Sequence, residues 1–110
     1  MRSDRSEAAL LAEMRESIRL IQRYVEDISV SEFGVESICR DATAFRLLMI
    51  GEVAKHLQDS TKARLPDIDW RGIVSLRHRL AHDYPSADTK VLWAIATVDV
   101  PALADALDRL

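Results

Sequence analysis

The sequence predicts an all-α protein, a four- to five-helix up-and-down bundle. Two observations carry that reading. Apolar residues recur three and four positions apart through most of the 110 residues, and no strand-like alternation appears. Only three glycines and three prolines occur, too few for a turn-rich sheet. A hydrophobic content of 48% and a charged content of 30% describe an ordinary globular chain, and the length suits a single domain over 1–110. A bundle of this size can bury a core, and an oligomer would bury more.

The elements follow in order. Residues 1–6 read as a frayed start. Over 6–28, Leu10, Met14, Ile18, Ile21, Val25 and Ile28 form one stripe, with Arg15, Glu16, Arg19, Arg23 and Glu26 on the other side. Ser29-x-x-Glu32 is a capping box that restarts the helix, and Gly34 loosens its first turn. A second long helix then runs to about Leu57 with two apolar faces. One holds Ile38, Ala42, Phe45, Met49 and Val53; the other holds Leu47, Ile50, Ala54 and Leu57. Such a helix is buried on two sides, and in a chain with so few helices one side is available to a partner subunit. Glu52 interrupts the first face, and His56 continues its line.

Residues 58–69 form a polar connector holding Pro66, with Asp67 or Asp69 as cap of the next helix. That helix ends near Asp83, because the residue before Pro85 is pushed out of helical geometry. After a short loop at 86–88, the spacing predicts a helix over 89–98 that buries Val91, Leu92, Ile95 and Val98. Asp99 and Pro101 start a last helix with the stripe Leu103, Leu107 and Leu110. Trp70 and Trp93 read as core anchors.

A formal charge of −3 gives no global nucleic-acid signature, so any such contact must come from a local basic cluster, and 71–82 is the obvious one. Cys39 is alone, which rules out an internal disulfide and fits a reducing compartment. In its helical setting it reads as a small core residue rather than a nucleophile. No apolar run approaches a membrane span and no signal-peptide pattern opens the chain, so no membrane contact and a cytoplasmic location are expected.

The segment RGIVSLRHRLAHDY, residues 71–84, organises the chemistry. Trp70, Ile73, Leu76 and Leu80 share one helical face, and Arg71, Ser75, His78 and His82 share the opposite one. Arg77 falls inside the apolar stripe, and Tyr84 would follow it on that side. A guanidinium keeps its charge, so Arg77 needs an anionic partner, either a carboxylate or a bound phosphate. Glu52 is the candidate carboxylate, within the bundle or across a dimer; the plain alternative is a structural ion pair.

His78 and His82 stand four apart, a spacing that can hold a metal, but HRLAH lacks the glutamate of the H-E-x-x-H pattern. The doublet His82–Asp83 has counterparts in metal phosphohydrolases, which need more ligands than the remaining His56 supplies. Solvated surface histidines are the plain alternative. Metal-free phosphoryl chemistry is the other option. Histidine can act as general acid or base, arginine can stabilise the charge on phosphorus, and RNA brings its own nucleophile, the 2′-hydroxyl. Arg77 and His82 are about 140° apart on an ideal helix. Either the helix distorts near its end, or two copies share a cleft and the protein is a homodimer. Tyr84 reads either as a half-buried aromatic or as an exposed hydroxyl open to modification.

With these residues in view, Arg77-x-x-x-x-His82-x-Tyr84 resembles the Arg-x4-His-x-Tyr signature of HepT-like toxins in the HEPN superfamily. IGEVAKHL (50–57), PDIDWRGIVSLRHRLAHDY (66–84) and VLWAIATVDVPALADAL (91–107) extend the likeness over nearly the whole chain. His78 departs from it, since relatives usually carry Asn or Asp there, although histidine can still donate and accept hydrogen bonds.

The resemblance implies a HEPN-like dimer with the two signature segments lining one cleft. It implies a cofactor-free and metal-independent endoribonuclease acting on mRNA or tRNA. Arg77 would bind the scissile phosphate and His82 would transfer protons, leaving a 2′,3′-cyclic phosphate; the supporting places of Glu52 and His78 follow from the helix faces and not from the resemblance. It further implies a nucleotidyltransferase antitoxin of the MNT type that transfers AMP to Tyr84 and silences the toxin. A competing reading is a non-catalytic helical subunit that binds nucleotide for such a partner; the intact Arg, His and Tyr favour the ribonuclease.

Overall fold

A computed structural model describes residues 6–110; the frayed start expected at 1–6 lies outside the described residues except for Ser6. The chain forms α1 (Glu7–Val25), α2 (Val30–Val35), α3 (Ser37–His56), α4 (Asp59–Ala63) and α5 (Trp70–Asp83). A 3₁₀ turn (Tyr84–Ser86), α6 (Thr89–Ala94), a π-helical turn (Ile95–Asp99) and α7 (Val100–Leu107) complete it. Among the described residues there is no strand, as the spacing predicts. The helix α3 is central, with α1 packed on one side and α5 on another, while α7 and the π turn close over α1. No helix of the described residues is long and apolar enough to cross a membrane.

Local chemistry explains the starts. Ser6 caps α1 by accepting from the Ala9 N–H at 3.0 Å, and the predicted stripe from Leu10 to Val25 is buried. The capping box is complete, with Glu32 N–H donating to Ser29 Oγ at 3.1 Å and Ser29 N–H donating to Glu32 Oε1 at 2.8 Å. The helix it starts is short, however. Glu36 leaves helical geometry at ψ 88°, so 30–35 and 37–56 are separate helices rather than one loosened at Gly34. The break lets α2 turn Phe33 fully inward against Trp93, ring centroids 5.2 Å apart.

Two further expectations are corrected. Of the two apolar faces of α3, the one with Leu47, Ile50 and Ala54 is buried, together with Val53. The other is open: Ile38 is 82% and Phe45 53% exposed, because no described element packs over them. The 58–69 segment is more than a polar connector. It contains α4 and the buried Leu65 and Thr61. Glu7 ties it to α1, its Oε2 accepting from Gln58 N–H at 3.0 Å and from Thr61 Oγ at 2.5 Å. One turn of helix is too short to show periodicity. Of the two candidate caps, Asp69 caps α5 through the Gly72 N–H at 2.9 Å. Asp67 instead accepts two hydrogen bonds from Arg109, both at 3.0 Å.

The last helix starts where the sequence places it, with Asp99 as its N-cap, but it follows α6 without a gap. The π turn carries the helix through, with the Val100 N–H bonded to the Ile95 carbonyl five residues back. Pro101 then falls in the first turn of α7, where its missing N–H costs little. Leu92, Ala96, Val100, Leu103 and Leu107 point inward, whereas Val91 and Val98 are 48% and 64% exposed rather than buried. Ile95 and Leu110 are half-buried.

The helices α3 and α5 come into tight contact at Gly51. A Cβ on Gly51 would lie 2.2 Å from the Arg77 Cβ and 3.0 Å from the Ile73 carbonyl. Alanine normally favours a helix interior over glycine by about 1 kcal/mol. Here the clash is with the root of a side chain, so α5 must move. Gly51→Ala should therefore destabilise the fold by about 1–3 kcal/mol, as overpacking does. A thermal melt checks this, at roughly 4–8 °C per kcal/mol for a domain of this size; an unchanged or raised midpoint would contradict it.

Candidate active site

At that close approach, Arg77 reaches across from α5 to α3. Its Nε lies 2.9 Å from Glu52 Oε1, with the two side chains 25% and 30% exposed. Both atoms are buried, and the N–H is not aimed along a regular hydrogen bond, so this is an ion pair held by charge. The other Glu52 oxygen lies 3.3 Å from His56 Nε2, one turn further along α3. Because Glu52 engages Nε, the two terminal amino groups of Arg77 carry no hydrogen bond to a described residue. They form a fork suited to phosphate.

Burial pushes the Glu52 carboxyl up, but the His56 hydrogen bond and the Arg77 and Lys55 charges outweigh it and hold the group below its ordinary value of 4.5. A carboxyl lowered by folding stabilises the fold above its unfolded value, and that stability is lost as pH falls through the lower folded value. Glu52→Gln should thus cost on the order of 1 kcal/mol at neutral pH. In urea melts at decreasing pH, the gap to the wild type should close below the ordinary carboxylate range; a gap that persists in strong acid would assign the loss to packing.

His82 lies elsewhere. The helix α5 stays regular through Asp83, so the distortion considered as one route to bring Arg77 and His82 together does not occur. His82 is exposed on the far side, beside His78, with ring centroids 4.4 Å apart. The two histidines border a cleft of about 400 Å³ that also holds Asp83, Ser86 and Leu92. Among the described residues no group of three or more His, Cys, Asp and Glu side chains could hold a metal ion. A second cleft of about 390 Å³ between α3, α5 and α7 contains none of the candidate residues.

Tyr84 opens the 3₁₀ turn directly after α5. Its ring is half-buried, and its hydroxyl donates to Asp41 Oδ1 on α3 at 2.5 Å. Burial and the Asp41 bond raise the phenol above its ordinary 10.0, with nearby Arg40 opposing them. Asp41 escaped sequence reasoning, although a signal was present. Asp41 and Glu52 are eleven residues apart, about three turns, and share a face of α3. Arg77 and Tyr84 are seven apart, about two turns, and share the facing side of α5. Each acid of α3 thus meets one candidate side chain of the antiparallel α5 or of the turn directly after it. Cys39 donates from Sγ to the Tyr24 carbonyl at 3.3 Å, and burial pushes its thiol up, as befits a packing residue.

An all-helical bundle that carries the Arg-x4-His-x-Tyr segment on one central helix pair has the form of a HEPN-superfamily domain. Within that class the chain belongs to the ribonuclease HepT-like family, whose profile matches residues 14–110. It is 30% identical over 106 residues to the "Probable ribonuclease HepT" of Thermococcus cleftensis, covering 96% of each chain. It is 31% identical over 101 residues to a protein of Methanocaldococcus jannaschii named a "Putative RNase", covering 92% of this chain and 93% of the other. A protein of the same name type in Caldanaerobacter subterraneus is 27% identical over 84 residues, covering 76% of this chain and 74% of the other. No solved structure matches significantly.

Proposed function

We propose that this protein is the toxin of a HEPN/MNT toxin–antitoxin pair, a cytoplasmic, metal-independent endoribonuclease that acts on mRNA or tRNA. One observation carries the reading: Glu52 grips Arg77 by Nε and leaves its guanidinium fork open for a phosphodiester. The ribonuclease names of its relatives support the same chemistry. In this reading the RNA 2′-hydroxyl attacks the adjacent phosphorus, Arg77 stabilises the charge that gathers on the phosphoryl oxygens, and His82 transfers the proton. The 5′-oxygen leaves, and a 2′,3′-cyclic phosphate remains. His78 packs against His82 and keeps its ring in place.

Arg77 and His82 face opposite sides of a regular α5, which favours an active site made from two copies, Arg77 from one and His82 from the other. The open apolar face of α3 with Ile38 and Phe45 gives such a homodimer a surface to bury. An MNT-type nucleotidyltransferase antitoxin would silence the enzyme by transferring AMP to Tyr84, since the added phosphate brings negative charge to a cleft that must accept RNA.

RNA cleavage in EDTA tests this reading. Wild type should cut and leave cyclic-phosphate ends. Arg77→Ala should lose about 10²–10³-fold, as for removal of a charge-stabilising donor, and His82→Ala about 10²–10⁴-fold, as for a general acid–base. Mixing the two dead variants should restore activity, because a heterodimer regains one intact composite site. Restoration failing in a proven heterodimer would place both residues in one protomer's site, and loss of wild-type cleavage in EDTA would overturn metal independence.

A further inference from the structure

The contact between Asp41 and Tyr84 has no part in RNA cleavage as derived above, yet it is the shortest hydrogen bond to any functional side chain here, at 2.5 Å. It joins the turn after α5 to an exposed carboxylate on α3. A phenol is a poor nucleophile at neutral pH, because little of it is ionised. A carboxylate within hydrogen-bond reach can take its proton as a bond to the oxygen forms.

We propose that Asp41 is the general base for AMP transfer to Tyr84, so that the acceptor protein supplies the base that activates its own hydroxyl. This rests on the reading of Tyr84 as the AMP acceptor. In the step, Tyr84 Oη attacks the α-phosphorus of ATP bound to the nucleotidyltransferase. The Oη–P bond forms while the bond from phosphorus to the pyrophosphate oxygen breaks. Pyrophosphate leaves with that electron pair, and the phenol proton passes to Asp41 Oδ1. The raised phenol, caused by burial and the same hydrogen bond, makes such help necessary. The charged groups facing the hydroxyl among the described residues are Asp41 and Arg40, both on α3. Arg40 donates to the Gly34 carbonyl at 2.6 Å and stands ready to balance the charge of the incoming phosphate.

The arrangement also accounts for how the modified side chain would behave. AMP transfer removes the only proton that Tyr84 offers Asp41 and sets a phosphodiester anion against a carboxylate. An attractive contact becomes a like-charge clash, so Tyr84 leaves α3 once modified.

Asp41→Asn is the decisive variant. Asparagine keeps an oxygen that accepts from the hydroxyl and keeps the shape, but cannot take a proton. Initial rates are measured for wild type and Asp41→Asn with ATP, Mg²⁺ and an MNT-type nucleotidyltransferase, and separately with adenosine 5′-phosphorimidazolide, an activated AMP donor that needs no enzyme. Peptide mass mapping assigns the label to Tyr84, with Tyr84→Phe as the blank. Asp41→Asn should slow labelling of Tyr84 by about 10²-fold, with RNA cleavage unchanged. Its residual rate should climb about tenfold per pH unit, because the phenol must then ionise unaided, while the wild-type rate stays flat. Equal rates and equal pH profiles would overturn the proposal and leave Asp41 a tether. If the nucleotidyltransferase fails to label wild-type Tyr84 but the phosphorimidazolide labels it in an Asp41-dependent way, the antitoxin reading falls and the role of Asp41 stands.

Discussion

The ion pair between Glu52 and Arg77 constrains everything around it. A charge placed on the inward side of α5 would be costly without a partner, and the partner comes from α3, the long helix that α5 packs against most among the described residues. The two half-buried side chains meet at 2.9 Å beside the place where the helix backbones come close. Gly51, the residue before Glu52, permits this by presenting no side chain to Arg77. Fold and site are therefore one problem: the contact that brings the two helices together also orients the guanidinium.

The antiparallel pairing of α3 with α5 then repeats the device. Asp41 meets Tyr84 as Glu52 meets Arg77, one acid for each candidate side chain along the same seam. The two contacts differ in consequence. Glu52 holds a permanent cation by its inner nitrogen and leaves the outer fork open. Asp41 holds a neutral hydroxyl whose proton can leave. On the proposed reading, the first rung serves RNA cleavage and the second serves its silencing. His82 belongs to neither rung, because it projects from the opposite side of α5 beside His78.

That division gives the apolar surface of α3 its meaning. Ile38 and Phe45 lie open on the face that also carries Asp41 and Glu52. On the proposed reading, a second copy seated there would lie against the Arg77 seam and could bring it the histidine of another α5. The short helix α2 and the α6–α7 strip pack on one another. Their role is to complete the core, with Phe33 and Trp93 in contact at its edge.

Much of this was legible without coordinates. The stripe of α1, the capping box at Ser29, the α5 boundaries and the misfit of Arg77 follow from periodicity and local hydrogen bonding, which depend only on near neighbours in the chain. The family resemblance was equally visible in the 50–57, 66–84 and 91–107 blocks. Other features depend on residues far apart in sequence. Whether Ile38 or Leu47 is buried depends on which helices reach α3, and periodicity marks both as apolar. The buried role of Leu65 depends on Glu7 fastening α4 to α1. The exposure of Val98, like that of Val91, depends on which face of the last helices meets α1, and periodicity does not decide that. Above all, Asp41 is an ordinary acid in an amphipathic helix until α5 packs beside it. Its partner is 43 residues away, and only the antiparallel packing of α3 on α5 sets a carboxylate against the hydroxyl of Tyr84.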